Sequence, residues 1–181
     1  VKTRLGRDVG TVAATWWFRH QVSHLLRKVR DPRWRVVLAV APDTALTRCR
    51  VWPNDLAWLP QGPGDLGDRM ARLIRNAPSG PVLIVGADIP GITPARISRA
   101  FQALGSASSV VGPAPDGGYW LVGLKRTAAV PKNLFQGVRW STEHALYDTK
   151  RTLPHPVAEI DHLRDVDTLA DLTHLRRRRI S

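Results

Sequence analysis

The stretch from Pro81 to Leu124 restricts the fold more than any other part of this 181-residue chain. It reads PVLIVGADIPGITPARISRAF and, after a short interval, SSVVGPAPDGGYWLVGL. Val82 to Val85 is a short apolar run of the kind buried on both faces of a parallel sheet. Asp88 follows the carboxyl end of that run, where open α/β sheets place their ligands. Thr93 is a candidate helix N-cap with Pro94 at the first helical position, which predicts a helix over 94–104. Strands are predicted near 109–112 and 119–124, and Asp116-Gly117-Gly118 joins them. Two carboxylates at strand ends, beside permissive glycine backbone, point to a site for a metal-bound, phosphate-bearing substrate.

The flanking segments fit the same alternation. Val12, Trp16, Leu25, Leu26 and Val29 have a helical spacing over 9–30, which Asp31-Pro32 ends. Trp16-Trp17 and Trp120 stand in apolar contexts that read as core. A buried strand is expected over 36–41, closed by Pro42-Asp43. Residues 49–58 are ambiguous and fit an edge strand interrupted by Pro53. Beyond the loop at 61–64, Asp65 and Asp68 have the spacing of a capping box for a helix running to Asn76. Residues 135–140 read as a loop, 142–150 as a short helix and 157–160 as a last strand. Thr168 and Asp171 repeat the capping-box spacing at the start of a final helix running to about residue 177. Strands alternating with helices predict one three-layer α/β domain over 1–181, with a mixed, mainly parallel sheet and a basic tail at 176–181.

Charge narrows the partners. The chain carries a formal +12, and residues 1–35 hold nine Lys or Arg against two Asp. Such a surface favours polyanions, including a nucleotide's phosphates. RNA-binding aromatic signatures are missing from the sequence, so nucleic acid is a minor expectation. No run approaches the ~20 apolar residues that span a bilayer, and the polar, basic start VKTRLGRDVG is not a signal peptide. Cys49 is the single cysteine, which fits a reducing, cytoplasmic compartment. His20 and His24 share a helical face but have no evident third ligand, and Asp43 reads as a turn residue.

Taken in order, KTRL, GDLGDRM, GADIPGITP, GPAPDGGYWLVGL, FQGVRWST and DVDTLADL resemble the bacterial radical-SAM/selenodomain-associated transferases. That family is glycosyltransferase-like. The resemblance extends from Lys2 to Leu172, and GPAPDGGYWLVGL is its most specific part. It implies a GT-A, nucleotide-diphospho-sugar transferase-like fold, shared with molybdenum-cofactor guanylyltransferase-type nucleotidyltransferases.

The resemblance also implies roles. Asp88 matches the acid that holds Mg²⁺ or Mn²⁺ against the donor's diphosphate, a hard oxygen ligand for a hard cation. The alternative is that Asp88 only caps the turn before Pro90. Asp167 matches a late aspartate that approaches the metal, with Asp165 its near neighbour. Where the family often has a second acid this chain has Gly91. Lys2 and Arg4 match basic positions in the phosphate loop after the first strand, and Gly64, Asp65 and Gly67 match a helix start facing the nucleotide. Asp65 reads more simply as the N-cap. Asp116 would orient or activate an acceptor hydroxyl, or else only begin a tight turn. Gly117 and Gly118 would let backbone approach a ligand. Tyr119 and Trp120 alternate across their strand, so one is expected to line the cleft. Trp140, Ser141 and Thr142 match a segment near the acceptor pocket.

By the same resemblance, a buried strand and a glycine loop precede KTRL, and this chain starts within that loop. The expectation is an N-terminally shortened domain with weak catalysis at best. Transfer of a glycosyl group from a nucleotide sugar is the leading function. Nucleotidyl transfer from a nucleoside triphosphate and non-catalytic nucleotide or partner binding are the alternatives. Oligomeric state is not legible.

Overall fold

The computed structural model describes residues 3–45 and 52–164. Lys2, Cys49, Asp165, Asp167, the predicted helix from 167 and the basic tail lie outside the described residues. The order of elements is α1 (Thr3–Val9), α2 (Thr11–Lys28), β1 (Val37–Val40), β2 (Ala57–Pro60), α3 (Leu66–Asn76), β3 (Val82–Val85), α4 (Pro94–Ser106), β4 (Ser109–Pro113), β5 (Tyr119–Leu124), α5 (Ala145–Thr152) and β6 (Val157–Glu159).

The N-terminal segment departs from expectation. KTRL, anticipated as a loop, is helical from Thr3 onward, so Arg4 lies within α1. Gly10, at φ 85°, breaks the helix and starts α2 in a new direction. The two helices meet at Gly6, where a Cβ would be in ordinary contact with Thr11 and Ala14 at 3.7 and 3.9 Å.

Pairing among the described residues forms two sheets. β1 and β2 are parallel, and β2 lies at 57–60, beyond Pro53 rather than across it. The larger sheet has the order β3-β5-β4-β6. β5 runs antiparallel to both of its neighbours, whereas β4 and β6 are parallel. The larger sheet is therefore mixed, and among the described residues parallel pairing occurs at β1–β2 and β4–β6 only. One consequence matters for the site. The carboxyl ends of β3, β4 and β6 and the amino end of β5 all lie at one end of the sheet.

The layers follow from side-chain alternation. One core packs α2 and α4 on the sheet through Leu25, Val29, Ile97, Ala100 and Leu104 against Val110 and Leu121. The other packs α3 and α5 on the opposite face through Met70, Ile74 and Ala145 against Val111, Val122 and Leu124. β3 contributes Leu83 and Val85 to the first face and Val82 and Ile84 to the second. Yet all four are only half-buried, because among the described residues β3 pairs on one side alone. Gly86 donates to the Trp120 carbonyl, so Ile84 and Val82 face β5 in the alternating ladder. The amides of Leu83 and Val85 point to the other edge.

Two aromatic expectations change. Trp16 is 62% exposed and stacks on His20, with ring centroids 4.0 Å apart. α2 turns about 100° per residue, so adjacent tryptophans cannot both face the core. Trp120 and Tyr119 both pack inward. The register shifts at Gly112/Pro113, and this bulge lays the Trp120 indole across Gly112, where a Cβ would meet Nε1 at 2.3 Å. Tyr119 packs against the second core and its hydroxyl meets that of buried Thr149 at 3.3 Å. Burial pushes the Tyr119 phenol pKa up.

Candidate active site

Asp88 stands on a loop that the sequence fixes at both ends. The Gly86 amide continues the β3–β5 ladder to Trp120 O at 2.9 Å. Ile89 and Ile92 are 4% and 0% exposed and anchor the loop in the core. Thr93 Oγ1 accepts from the Arg96 amide and caps α4, with Pro94 at its first turn. Between these anchors Asp88 is half-buried. Glycine at 86 keeps it there, since a Cβ would meet Ile89 Cδ1 at 2.9 Å and lie 3.5 Å from Asp88 Oδ1.

The segment after β6 straps this loop from outside. Leu163 donates its amide to Pro113 O at 3.1 Å, and its side chain occupies the space beside Gly91, 3.1 Å from where a Cβ would stand. A side chain at position 91 would press on Leu163. Arg96 donates from Nη1 to Gly91 O at 2.6 Å. Asp161 sits between two arginines, 2.7 Å from Arg99 Nη2 and 3.8 Å from Arg96 Nε. The Arg96 Nε–H is buried without a hydrogen-bond acceptor, so the Asp161 charge is its main compensation. Trp120 Nε1 donates to Asp161 O at 2.7 Å. The sequence reading missed Arg96 and Asp161, because an arginine near a helix start and an aspartate after a short strand carry no spacing signal.

Asp116 does build a turn. Its Oδ1 accepts the Gly118 amide at 3.0 Å, and Ala114 and Gly118 close the loop with a backbone bond of 3.0 Å. The carboxylate is nonetheless exposed and lies at the same end of the sheet as Asp88. Gly117 takes φ 83° and packs directly on the 143–146 segment. A Cβ on it would fall 2.2 Å from Glu143 O, and its carbonyl accepts the Leu146 amide at 2.9 Å. That contact brings Glu143 and His144, with side chains 81% and 48% exposed, beside the glycine loop. Neither was singled out from the sequence. Ser141 adopts φ 61°. Thr142 Oγ1 donates to Arg139 O at 2.7 Å and accepts from the His144 amide at 3.2 Å, which shapes the approach to α5.

The start of α3 joins the same neighbourhood through Trp140. A Cβ on Gly67 would meet Trp140 Cζ2 at 2.9 Å and Phe135 at 3.0 Å. Asp65 and Asp68 form the predicted reciprocal cap, at 2.9 and 3.1 Å. Gly64 takes φ 98° over Asp68. Arg69 and Arg72 hold the preceding turn by its Gly64 and Gln61 carbonyls. Asp43 stands in the expected turn, closed by the Ala45 amide on Pro42 O at 2.9 Å, and its carboxylate also accepts the Gly62 amide at 3.1 Å from the loop after β2. Gly64, Asp65 and Gly67 are thus accounted for by local packing and capping, and Gly67, Trp140 and Gly117 are linked through the 140–146 segment.

Among the described residues no group of three His, Cys, Asp or Glu is arranged to hold a metal. Asp88 supplies one hard carboxylate, which fits an ion of the Mg²⁺ type held mainly by phosphate oxygens and water.

Residues 25–142 match the profile of DUF2064, a family described as uncharacterized proteins conserved in bacteria. No curated protein matches the chain. Among solved structures, it is similar to a candidate nucleotide-diphospho-sugar transferase from Desulfovibrio desulfuricans G20, with 28% identity and a TM-score of 0.83. That match covers 98% of this chain and 80% of the other. A 4-diphosphocytidyl-2C-methyl-D-erythritol synthase from Anaerococcus prevotii shares 12% identity, with a TM-score of 0.60 over 91% of this chain and 86% of its own. Rv0371c of Mycobacterium tuberculosis, solved as a complex with manganese, shares 18% identity, with a TM-score of 0.50 over 87% and 84%. The fold is that of the nucleotide-diphospho-sugar transferases.

Proposed function

The chain belongs to DUF2064, and we propose that it transfers a glycosyl group from a nucleotide-sugar donor with the help of a divalent cation. The observation that carries this reading is the strand register. It sets the Asp88 loop, the Asp116–Gly118 loop and the segment after β6 at one end of the sheet. The similarity to the Desulfovibrio protein supports a nucleotide-diphospho-sugar donor. The manganese complex of a more distant structure supports a divalent ion.

In this reading Asp88 and Asp167 would hold Mg²⁺ or Mn²⁺, which would supply positive charge to offset that of the leaving group. Lys2 and Arg4 would steady the phosphates, and the Gly64–Gly67 segment would face the nucleotide. The exposed Asp116 carboxylate orients an acceptor hydroxyl or takes its proton. Gly117, Gly118, Trp140, Ser141 and Thr142 border the acceptor side. Nucleotidyl transfer is the second reading, supported by the likeness in fold to the 4-diphosphocytidyl-2C-methyl-D-erythritol synthase. It would release pyrophosphate instead of a nucleoside diphosphate.

Thermal stabilisation by nucleoside diphosphates, nucleotide sugars and triphosphates, each with Mn²⁺, Mg²⁺ or EDTA, tests both. We expect a metal-dependent shift that Asp88→Asn abolishes, and product analysis with the best ligand separates the two donors. A folded chain that no nucleotide stabilises at millimolar concentration, with or without metal, would overturn the transferase reading. Stabilisation that is indifferent to EDTA and to Asp88→Asn would identify a non-catalytic nucleotide-binding domain.

A further inference from the structure

α2 buries Ala14, Val22, Leu25 and Leu26. What it leaves outside is unusual for a soluble helix. Val12 is 85% exposed and Trp16, one turn on, is 62% exposed. Arg19, His20 and Arg27 continue along the exposed side, and Arg7 is exposed at the end of α1. From Val9 to Arg30 the chain has no Asp or Glu. The neighbouring acids are Asp8, which has an interaction partner, and Asp31, which is bound to Arg33 at 2.8 Å. Among the described residues no helix is long and apolar enough to cross a membrane.

We propose that this face of α2 docks the protein on an anionic lipid surface, Val12 and Trp16 entering the headgroup layer while Arg19 and Arg27 meet lipid phosphates. The combination of an apolar and indole tip with cations on one helix face suits a bilayer interface. It suits the other occupants less well. One face of the Trp16 ring is already covered by His20, which reduces its use as a stacking platform for bases. A second copy would bring the same cations against each other, which is repulsive. The inference concerns where the protein sits, and it stands independently of the transfer reaction.

The test is sedimentation of the full chain with vesicles of phosphatidylcholine alone, or mixed with phosphatidylglycerol, at low and high salt. We expect binding to the mixed vesicles only, weakened by salt. Val12→Ser with Trp16→Ser should lower partitioning about tenfold or more. Arg19→Glu with Arg27→Glu should lower it at least about fivefold per position. These side chains are exposed, so the melting curves should hardly move, and either pair decides the matter if the other fails to fold. The proposal is overturned if the wild-type chain stays in the supernatant, if both vesicle types bind equally, or if both variants sediment like wild type. Retention on an oligonucleotide without vesicle binding would assign the face to nucleic acid. A mass that doubles with concentration and reverts in the serine variant would assign it to a second copy.

Discussion

Replacing Gly117 by alanine tests the packing of the glycine loop against the 143–146 segment. Two costs are combined at this position. The backbone is at φ 83°, and placing an L-residue in left-handed backbone costs about 1–2 kcal/mol. The added methyl would also lie 2.2, 2.4 and 2.5 Å from the O, Cα and C of Glu143. Carbon atoms in contact prefer about 3.5–4.0 Å, so the two segments would have to part by roughly 1 Å. The obstacle is backbone, which cannot rotate away as a side chain can, and overpacking of this kind costs about 1–3 kcal/mol more. Gly137 provides the control. It has φ 71° and nothing within 4 Å of an added Cβ, so Gly137→Ala carries the conformational cost alone. The difference between the two variants should therefore be about 1–3 kcal/mol. For a chain of this size that is a gap of roughly 2–12 °C in melting temperature. Urea and thermal denaturation of both variants measure it. Equal losses would refute the argument that glycine is required at 117 for close approach.

Three further outcomes follow from the geometry. Asp65→Ala should cost about 1 kcal/mol and speed amide exchange at Asp68, whose N–H loses its acceptor; unchanged exchange there would contradict the capping role. The Arg139 guanidinium, hydrogen-bonded to Asp148 at 2.8 and 2.9 Å, holds that carboxyl at about 2, against 3.8 ordinarily. A depressed pKa stabilises the fold above the unfolded value, so the wild type's advantage over Asp148→Asn should be constant above about pH 5 and shrink progressively as pH falls toward 2. Urea titrations in which the gap is undiminished at about pH 2 would argue against this coupling. Asp161→Asn removes the charge between Arg96 and Arg99, and should raise exchange at Gly91 and Ile92 about tenfold. A loop as protected as in wild type would show that the strap is held by Leu163 packing alone.

What the sequence revealed was chiefly local. Thr93-Pro94 and the Asp65/Asp68 pair announce their helices because capping is decided within four residues. Val82–Val85 and Tyr119–Leu124 are recognisable strands because apolar runs between turn residues have few other uses. The positions of Asp88 and Asp116 at strand ends were legible for the same reason. Strand order was not, since β5 inserts between β3 and β4 through non-local pairing. Which of Trp16 and Trp17 faces inward depends on where the core lies, and adjacent helical residues do not encode it. Ser141 takes a left-handed backbone that nothing in Trp-Ser-Thr signals. Glu143 and His144 reach the glycine loop only through tertiary contact. The roles of Lys2 and Asp167 belong to segments outside the described residues.

Trp120 touches three of the segments that meet at this end of the sheet. Its carbonyl takes the Gly86 amide, its indole N–H takes the Asp161 carbonyl, and its ring lies over Gly112. The acidic loop after β3 and the strap after β6 thus share a single pivot, seated two residues from the glycine turn. The loop would have to break its bond to the Trp120 carbonyl to swing out, and the strap its bond to the indole. In mechanical terms the Asp88 loop and the strap are tied through one residue, so a ligand held by that loop should damp the motion of the strap as well.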